Sequence, residues 1–295
     1  MTTVQKNAKM EANGNEKGEM PVDNQNVATV AEEETFPPFQ ELPLSDDFMF
    51  GQVMRNLRIC QMFLEALLKA KIARIELVSK QYDISDSYLS HGIRLDVYMA
   101  DEAGSVYCVE MQTSGGTRLL FRRIRYYQSA IDRHHLQRGM DYLLLPESFI
   151  ILICTEDLFG FNLPVYRRKI VIENCEEAGY DDGSHVYILN GAYQPGKPVK
   201  RKGRRKTGKS GDAETDQAVP VTEEDPAIIE FLRCIRDRDT DKSHYSTPLM
   251  RKICNEIDEV RDDPAKEAEY MQYQAKVMDI RREGRAEGRR EGRAE

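Results

Sequence analysis

The chain has 295 residues, of which 40% are hydrophobic and 31% are charged, and its net charge at pH 7 is −8. An acidic chain of this kind has no overall basic field, so any binding to nucleic acid must come from local basic patches. It also lacks an apolar run of membrane-spanning length and a signal-peptide pattern, so we expect a cytoplasmic protein that does not associate with membranes.

The N-terminal part of the chain separates into a polar leader and two helices. Residues 1–36 lack hydrophobic periodicity, which predicts a disordered leader. Ser45 or Asp46 can cap the first helix, and its apolar stripe is formed by Phe48, Met49, Val53, Met54 and Leu57. A second amphipathic helix continues to Leu68, and residues 74–81 are predicted to form the first strand.

The segments 94–99 and 106–112 predict a β-hairpin. In the connecting loop, Asp101 suits the first position of a type I turn and Gly104 suits the left-handed position that follows. This loop fixes the register of the two strands. Asp96 is then opposite Glu110, Arg94 is opposite Gln112, Val97 is opposite Val109, and Tyr98 is opposite Cys108.

The remaining elements complete one α/β domain and a helical region. A long helix is predicted over 118–138, and further strands are predicted at 148–155, 168–173 and 185–189. This order of elements predicts an α/β domain over residues 40–192, large enough to fold alone.

Beyond residue 192 the composition changes. Residues 195–224 have the composition of a low-complexity linker, with a basic run that can add sequence-independent affinity for DNA. Residues 225–295 predict a helical C-terminal region, with Pro226 in a first helical turn and a third helix from about Pro264. The terminal Glu-Gly-Arg repeat favours a frayed, solvated helix or disorder.

The hairpin carries the residues with the clearest chemistry. Two carboxylates directly opposite each other, Asp96 and Glu110, would come within roughly 5 Å at Cβ and repel each other, unless they share a cation or a proton or are solvated at an edge. Carboxylate oxygens suit Mg²⁺ or Mn²⁺. Gln112 leaves the strand on the same face as Glu110 and can orient a water or a phosphate oxygen, with positive charge supplied by Arg94, by Lys80 or by another residue that surrounds the site.

Several other polar residues have two interpretations. Asp47 is either a helix cap or an additional acid at the site. The arginines at helical spacing on the third predicted helix either form a solvated face or contact phosphates beside the site. They are Arg118, Arg122, Arg125 and Arg133.

An ordered set of short motifs resembles the PD-(D/E)XK nuclease superfamily, and more closely its bacterial family of transposases, also called recombination-promoting nucleases. The matching segments are 45–50, 94–97, 109–112, 123–128, 181–191 and the Glu-Gly-Arg tail. The resemblance implies a restriction-endonuclease-like core, with a central mixed sheet flanked by helices, and a helical C-terminal extension. It implies that Asp96 and Glu110 are the metal ligands, that Gln112 stands where the superfamily has Lys, and that Asp47 is an additional acid.

The sequence and the resemblance together lead to three hypotheses. The first is an Mg²⁺- or Mn²⁺-dependent DNA endonuclease, in which Arg94, Arg118, Arg122 and Arg125 contact the phosphate backbone. The second is a nucleic-acid-binding or assembly protein with the same fold and without catalysis. The third is a protein-binding module that works through the C-terminal helices, which are also a candidate homo-oligomer interface.

Overall fold

A computed structural model of the chain describes residues 36–79, 82–84, 93–112, 116–136, 138–175, 181–197 and 223–291. The predicted leader, apart from Phe36, and most of the predicted linker lie outside these residues, as does the Lys80 candidate. Its helices are α1 (Asp47–Val53), α2 (Leu57–Leu68), α3 (Thr117–His135), α4 (Pro226–Asp237), α5 (Pro248–Asp262) and α6 (Pro264–Glu291). The strands are β1 (Ile75–Ser79), β2 (Tyr82–Ile84), β3 (Ile93–Leu95), β4 (Val97–Asp101), β5 (Val106–Gln112), β6 (Ser148–Cys154), β7 (Val165–Arg167) and β8 (Ser184–Asn190).

The centre of the molecule is a mixed six-stranded sheet in the order β1-β4-β5-β6-β8-β7. Strands β5, β6 and β8 are parallel, while β1, β4 and β7 join antiparallel. The predicted fold class, a mixed sheet flanked by helices with a helical C-terminal region, is confirmed. The strand predicted at 168–173 is wrong, because the corresponding strand β7 ends at Arg167.

Successive side chains along the central strands point to opposite faces of the sheet and belong to two separate cores. Val109 and Met111 face a large core built with α1, α2, α4 and α5. Cys108 and Leu152 face a smaller core beneath α3. The aromatic rings of Phe63 on α2 and Phe231 on α4 lie 5.0 Å apart between centroids, so the C-terminal helices complete the large core.

The hairpin confirms the predicted turn and most of the predicted register. Gly104 has φ +88°, and its amide donates to the carbonyl of Asp101 at 3.0 Å. Val97 pairs with Val109 and Tyr98 with Cys108, as the loop predicts. The first strand, however, is interrupted at Asp96. Strand β3 separates there and pairs with β2, so Arg94 lies opposite Asp83 and the predicted pairing with Gln112 is wrong.

Local capping signals account for the helix ends. Asp46 accepts hydrogen bonds from the amides of Phe48 and Met49 and so caps α1. Asp225 caps α4, with Pro226 in its first turn. The Gly-containing end of α6 is helical to Glu291, and the positions where Gly284 and Gly288 would carry Cβ atoms are open space. Within the described residues the tail is therefore a solvated helix.

Candidate active site

Glu110 is a buried carboxylate near the C-terminal end of β5, on the face of the sheet that α3 covers. Its side chain is 6% exposed. Oε1 accepts hydrogen bonds from the Arg123 guanidinium and, at 3.3 Å, from the Tyr127 hydroxyl. Oε2 is buried without a hydrogen-bond partner among the described residues. Burial raises the pKa of Glu110 to about 7, although the charge of Arg123 acts in the opposite direction.

Asp96 lies in the break between β3 and β4, where the ladder to β5 stops. Its Oδ2 accepts a hydrogen bond of 2.9 Å from the backbone amide of Met111, so the side chain takes the place of a ladder partner. The negative charge of Asp96 also contributes to the raised pKa of Glu110. The two carboxylates therefore lie close enough to influence each other's environment, while their role as metal ligands stays a prediction.

Arg123 joins the polar side chains at the end of β5. One terminal nitrogen donates to Oε1 of Glu110 and the other to Oε1 of Gln112. The same guanidinium donates to the Tyr127 hydroxyl, at 3.2 Å from Nε and 2.6 Å from Nη2. Its carbon lies 5.4 Å from the centroid of the Tyr127 ring. One arginine from α3 therefore supplies positive charge to both Glu110 and Gln112.

A family model described as PD-(D/E)XK nuclease family transposase matches residues 47–188. The chain carries a domain of this family. The matched region begins at α1 and ends within β8, and it includes Asp96, Glu110, Gln112 and Arg123. No curated protein and no solved structure matches the chain. This domain supports a nuclease-type function.

The arginine that contacts Glu110 and Gln112 is not among the arginines that the sequence favoured. Arg118, Arg122 and Arg125 are exposed on the outer face of α3, and none of them has an ion-pair partner within the described part of the chain. The side chain of Arg94 lies outside the described residues. Arg123 is three residues after Leu120 and four before Tyr127, so helical periodicity places it beside the buried stripe and could have identified it.

Asp47, the candidate additional acid, is the first residue of α1 and is exposed. Asp46 rather than Asp47 caps the helix through its side chain. The buried residues of α1 belong to the large core, on the opposite face of the sheet from Glu110. The role of Asp47 in the site stays a prediction.

The residues at the end of β5 fit a hard divalent cation. Across the described residues, no group of three or more His, Cys, Asp or Glu side chains could hold a metal. Mg²⁺ commonly uses only one or two protein carboxylates and retains several waters, and Asp96 and Glu110 supply two. The unpartnered Oε2 of Glu110 supports this assignment, because a buried carboxylate oxygen without a partner is costly.

No helix in the described ranges is long and apolar enough to cross a membrane.

Proposed function

We propose that this chain is a metal-dependent DNA endonuclease of the recombination-promoting type, which hydrolyses phosphodiester bonds. The match of residues 47–188 to the nuclease family model supports the nuclease class. The finer proposal is supported mainly by one observation, the buried Glu110 carboxylate beside Asp96 with one oxygen unpartnered. Mg²⁺ or Mn²⁺ is the proposed cofactor, DNA is the proposed substrate, and a cytoplasmic location remains a prediction.

The side chains have distinct proposed roles. Asp96 and Glu110 would hold the cation, which when bound makes a coordinated water more acidic and offsets negative charge on the phosphate. Gln112 orients a water or a phosphate oxygen through its amide, since an amide cannot act as a base. Arg123 holds its positive charge beside the carboxylates and can turn to a phosphate, which the planar guanidinium binds in a bidentate manner.

The exposed arginines of α3 are proposed to position the DNA backbone. Arg118, Arg122 and Arg125 lie on the solvent side of the helix that carries Arg123. Contacts of this kind fix the register of a nucleic acid without reading its sequence. The affinity they supply should fall steeply as the salt concentration rises.

A plasmid-nicking assay with Mg²⁺ or Mn²⁺ tests the proposal. Glu110→Gln and Asp96→Asn keep the size of the side chains, and the Asn oxygen can still accept from the Met111 amide. Each variant should reduce nicking to the level of a reaction in EDTA. Glu102→Gln, in the exposed hairpin loop, is the matched control and should nick like the wild type. Wild-type nicking by either site variant would refute the proposed ligands.

The ion pair itself favours a second function, in which the fold binds nucleic acid without cleaving it. Arg123 already neutralises Glu110, and Gln112 replaces the lysine of the wider superfamily. Such a protein would shift DNA in a gel and show no metal-dependent nicking under any condition. Metal-dependent nicking that Glu110→Gln abolishes would exclude this alternative.

A homo-oligomer formed through the C-terminal helices is also proposed. Met271, Met278 and Ile280 on α6 are 60%, 48% and 54% exposed. Light scattering on the full chain and on a Met278→Lys/Ile280→Lys variant tests this interface. An unchanged mass of the double variant would contradict it.

A further inference from the structure

A concave surface lies on the other side of α3 from Asp96 and Glu110. It is a cavity of about 850 Å³, bounded by α3, by β7 and β8, and by the loop that follows β6. Its floor includes Ile124, Val186 and Ile188, which belong to the small core. The roles proposed above for Asp96, Glu110, Gln112 and Arg123 use none of the aromatic residues that line this cavity.

Aromatic side chains form one wall of the cavity. The ring of Phe121 lies 6.1 Å from that of Phe159, and Phe159 lies 4.6 Å from Tyr166, measured between centroids. Phe161 also lines the cavity. Phe121 is 51% exposed, so a large aromatic surface faces solvent at the mouth of the cavity.

The loop that carries Phe159 is held in place by one carboxylate. Asp157 accepts hydrogen bonds from the amides of Phe159, Gly160 and Asn162 at 2.7–3.4 Å, and from the hydroxyl of Tyr166 at 2.6 Å. These bonds tie the loop to β7. The aromatic wall is therefore organised before any ligand arrives, which reduces the entropy lost on binding.

Unpaired positive charge accompanies the aromatic wall. Arg125 and Lys169 line the cavity and have no ion-pair partner within the described ranges. The two acids that line the cavity are Asp132 and Asp182, and they lie near the starts of β6 and β8, away from the rings. Each accepts a hydrogen bond from a neutral side chain, Asp132 from Gln128 and Asp182 from Ser184. The aromatic end of the cavity is thus complementary to a flat ligand that carries negative charge.

The aromatic loop of the cavity and the carboxylate site both lie at the C-terminal ends of the central parallel strands. Strand β5 ends at Gln112, and the amide of Thr155, which leads into the aromatic loop, donates to the Gln112 carbonyl at 3.3 Å. Phe121 and Arg123 are two residues apart on α3 and so point to opposite sides of the helix. The exposed arginines of α3 lie between these two sides.

We propose that the aromatic cavity binds a nucleobase of single-stranded DNA whose backbone crosses the arginine face of α3. Single-strand binding sites combine a positively charged track with aromatic rings on which bases stack, and both are present here. The inference rests on the proposed nuclease function and narrows its substrate to DNA that has an unpaired base near the cleaved bond. A regular duplex keeps its bases stacked inside and cannot fill the cavity.

Fluorescence anisotropy with a labelled single-stranded oligonucleotide tests the proposal, on the full-length chain in EDTA so that no cleavage occurs. Phe121→Ala should weaken binding by about 5- to 140-fold, the range for loss of one stacked base, and Phe121→Tyr should keep the wild-type affinity. Tyr142→Ala removes a ring that is 79% exposed and outside the cavity, and should bind like the wild type. The same oligonucleotide as a duplex should bind more weakly than the single strand.

Crosslinking locates the base directly. A bromodeoxyuridine-substituted strand should crosslink, on irradiation, to peptides that contain Phe121, Phe159 or Tyr166. The proposal would be overturned if Phe121→Ala bound the strand as tightly as the wild type, or if the crosslinks were confined to other peptides. It would also be overturned if a second copy of the chain occupied the cavity and displaced the strand. Glu110→Gln should bind the strand normally. If the wild type binds the strand but never nicks DNA, the proposed nuclease function is rejected and the proposed base-binding cavity is retained. If the wild type nicks DNA and Phe121→Ala binds the strand as tightly as the wild type, the cavity is rejected and the nuclease function is retained.

Discussion

Arg123 on α3 and Glu110 on β5 form an ion pair in which the same guanidinium also binds Gln112. The pair connects the helix to the central strand beside Asp96, the other proposed metal ligand. It also leaves one oxygen of Glu110 buried and unpartnered among the described residues.

Glu110→Gln should stabilise the metal-free protein at alkaline pH. The pKa of Glu110 is raised from 4.5 to about 7, so the folded state favours the protonated carboxyl. The contribution of Glu110 to the free energy of unfolding is then greatest below about pH 4.5, and it decreases as the pH rises to about 7. At pH 8 the variant should be more stable by roughly 3 kcal/mol, at 1.36 kcal/mol per pKa unit, and near pH 4.5 the two should be equal.

Urea unfolding in EDTA at several pH values measures this difference. Glu102→Gln, in the exposed hairpin loop, is the control. A Glu110→Gln variant that is less stable than the wild type at pH 8 would show that the ion pair with Arg123 outweighs the cost of burying the carboxylate.

Arg123→Gln should bind Mn²⁺ more tightly than the wild type. The guanidinium holds oxygens of Glu110 and Gln112 and places a positive charge beside any cation in the site. Removing that charge should strengthen binding by about tenfold or more, given the size of charge interactions at a partly buried position. Isothermal titration without DNA measures the affinity, with the exposed Arg138→Gln as the matched control. Equal affinities of the two variants would contradict the prediction.

Gly191→Ala should destabilise the fold. A Cβ atom at Gly191 would lie 2.6 Å from Cγ2 of Ile235 and 2.7 Å from the carbonyl oxygen of Cys154. Because one of these atoms belongs to the backbone of β6, relief requires a shift of strand or helix. We expect a loss of roughly 1–3 kcal/mol in the free energy of unfolding, as for other overpacked positions.

Gly284→Ala is the matched control for this substitution. Its Cβ would meet no atom within 4 Å, and alanine has the higher helix propensity by up to about 1 kcal/mol. Urea unfolding should therefore show a lower free energy of unfolding for Gly191→Ala, and a higher or unchanged one for Gly284→Ala. A Gly191→Ala protein as stable as the wild type would show that α4 is not packed tightly against the end of β6.

A truncated chain that ends at residue 192 should not fold cooperatively. The sequence predicts an independent domain over 40–192, but Phe63 packs on Phe231, and Asn56 donates to Glu256 at 2.6 Å. Removing α4 and α5 would expose the apolar faces of α1 and α2. Circular dichroism and thermal unfolding of the truncated chain should show no sharp transition, whereas a cooperative transition would support the predicted domain boundary.

Features that depend on neighbours in the sequence were predictable. Asp225 and Pro226 start a helix through local hydrogen bonding and a fixed φ, and Gly104 closes the hairpin because the turn needs a positive φ. The turn then sets the register, so the pairing of Val97 with Val109 followed from the loop alone.

Contacts between distant segments were decided only by the tertiary structure. Periodicity grouped Arg118, Arg122 and Arg125 on α3 but did not identify which arginine meets the carboxylates, because that depends on how the helix is rotated over β5. The sequence likewise did not indicate that β3 would leave the hairpin to pair with β2, or that Phe63 would pack on Phe231. The sequence by itself determined the hairpin turn, the register beside it and the starts of helices, since these depend on steric and hydrogen-bonding preferences over a few residues. Only the tertiary structure decided that Arg123 binds Glu110, because burial and long-range packing select one side chain among several of equal local preference.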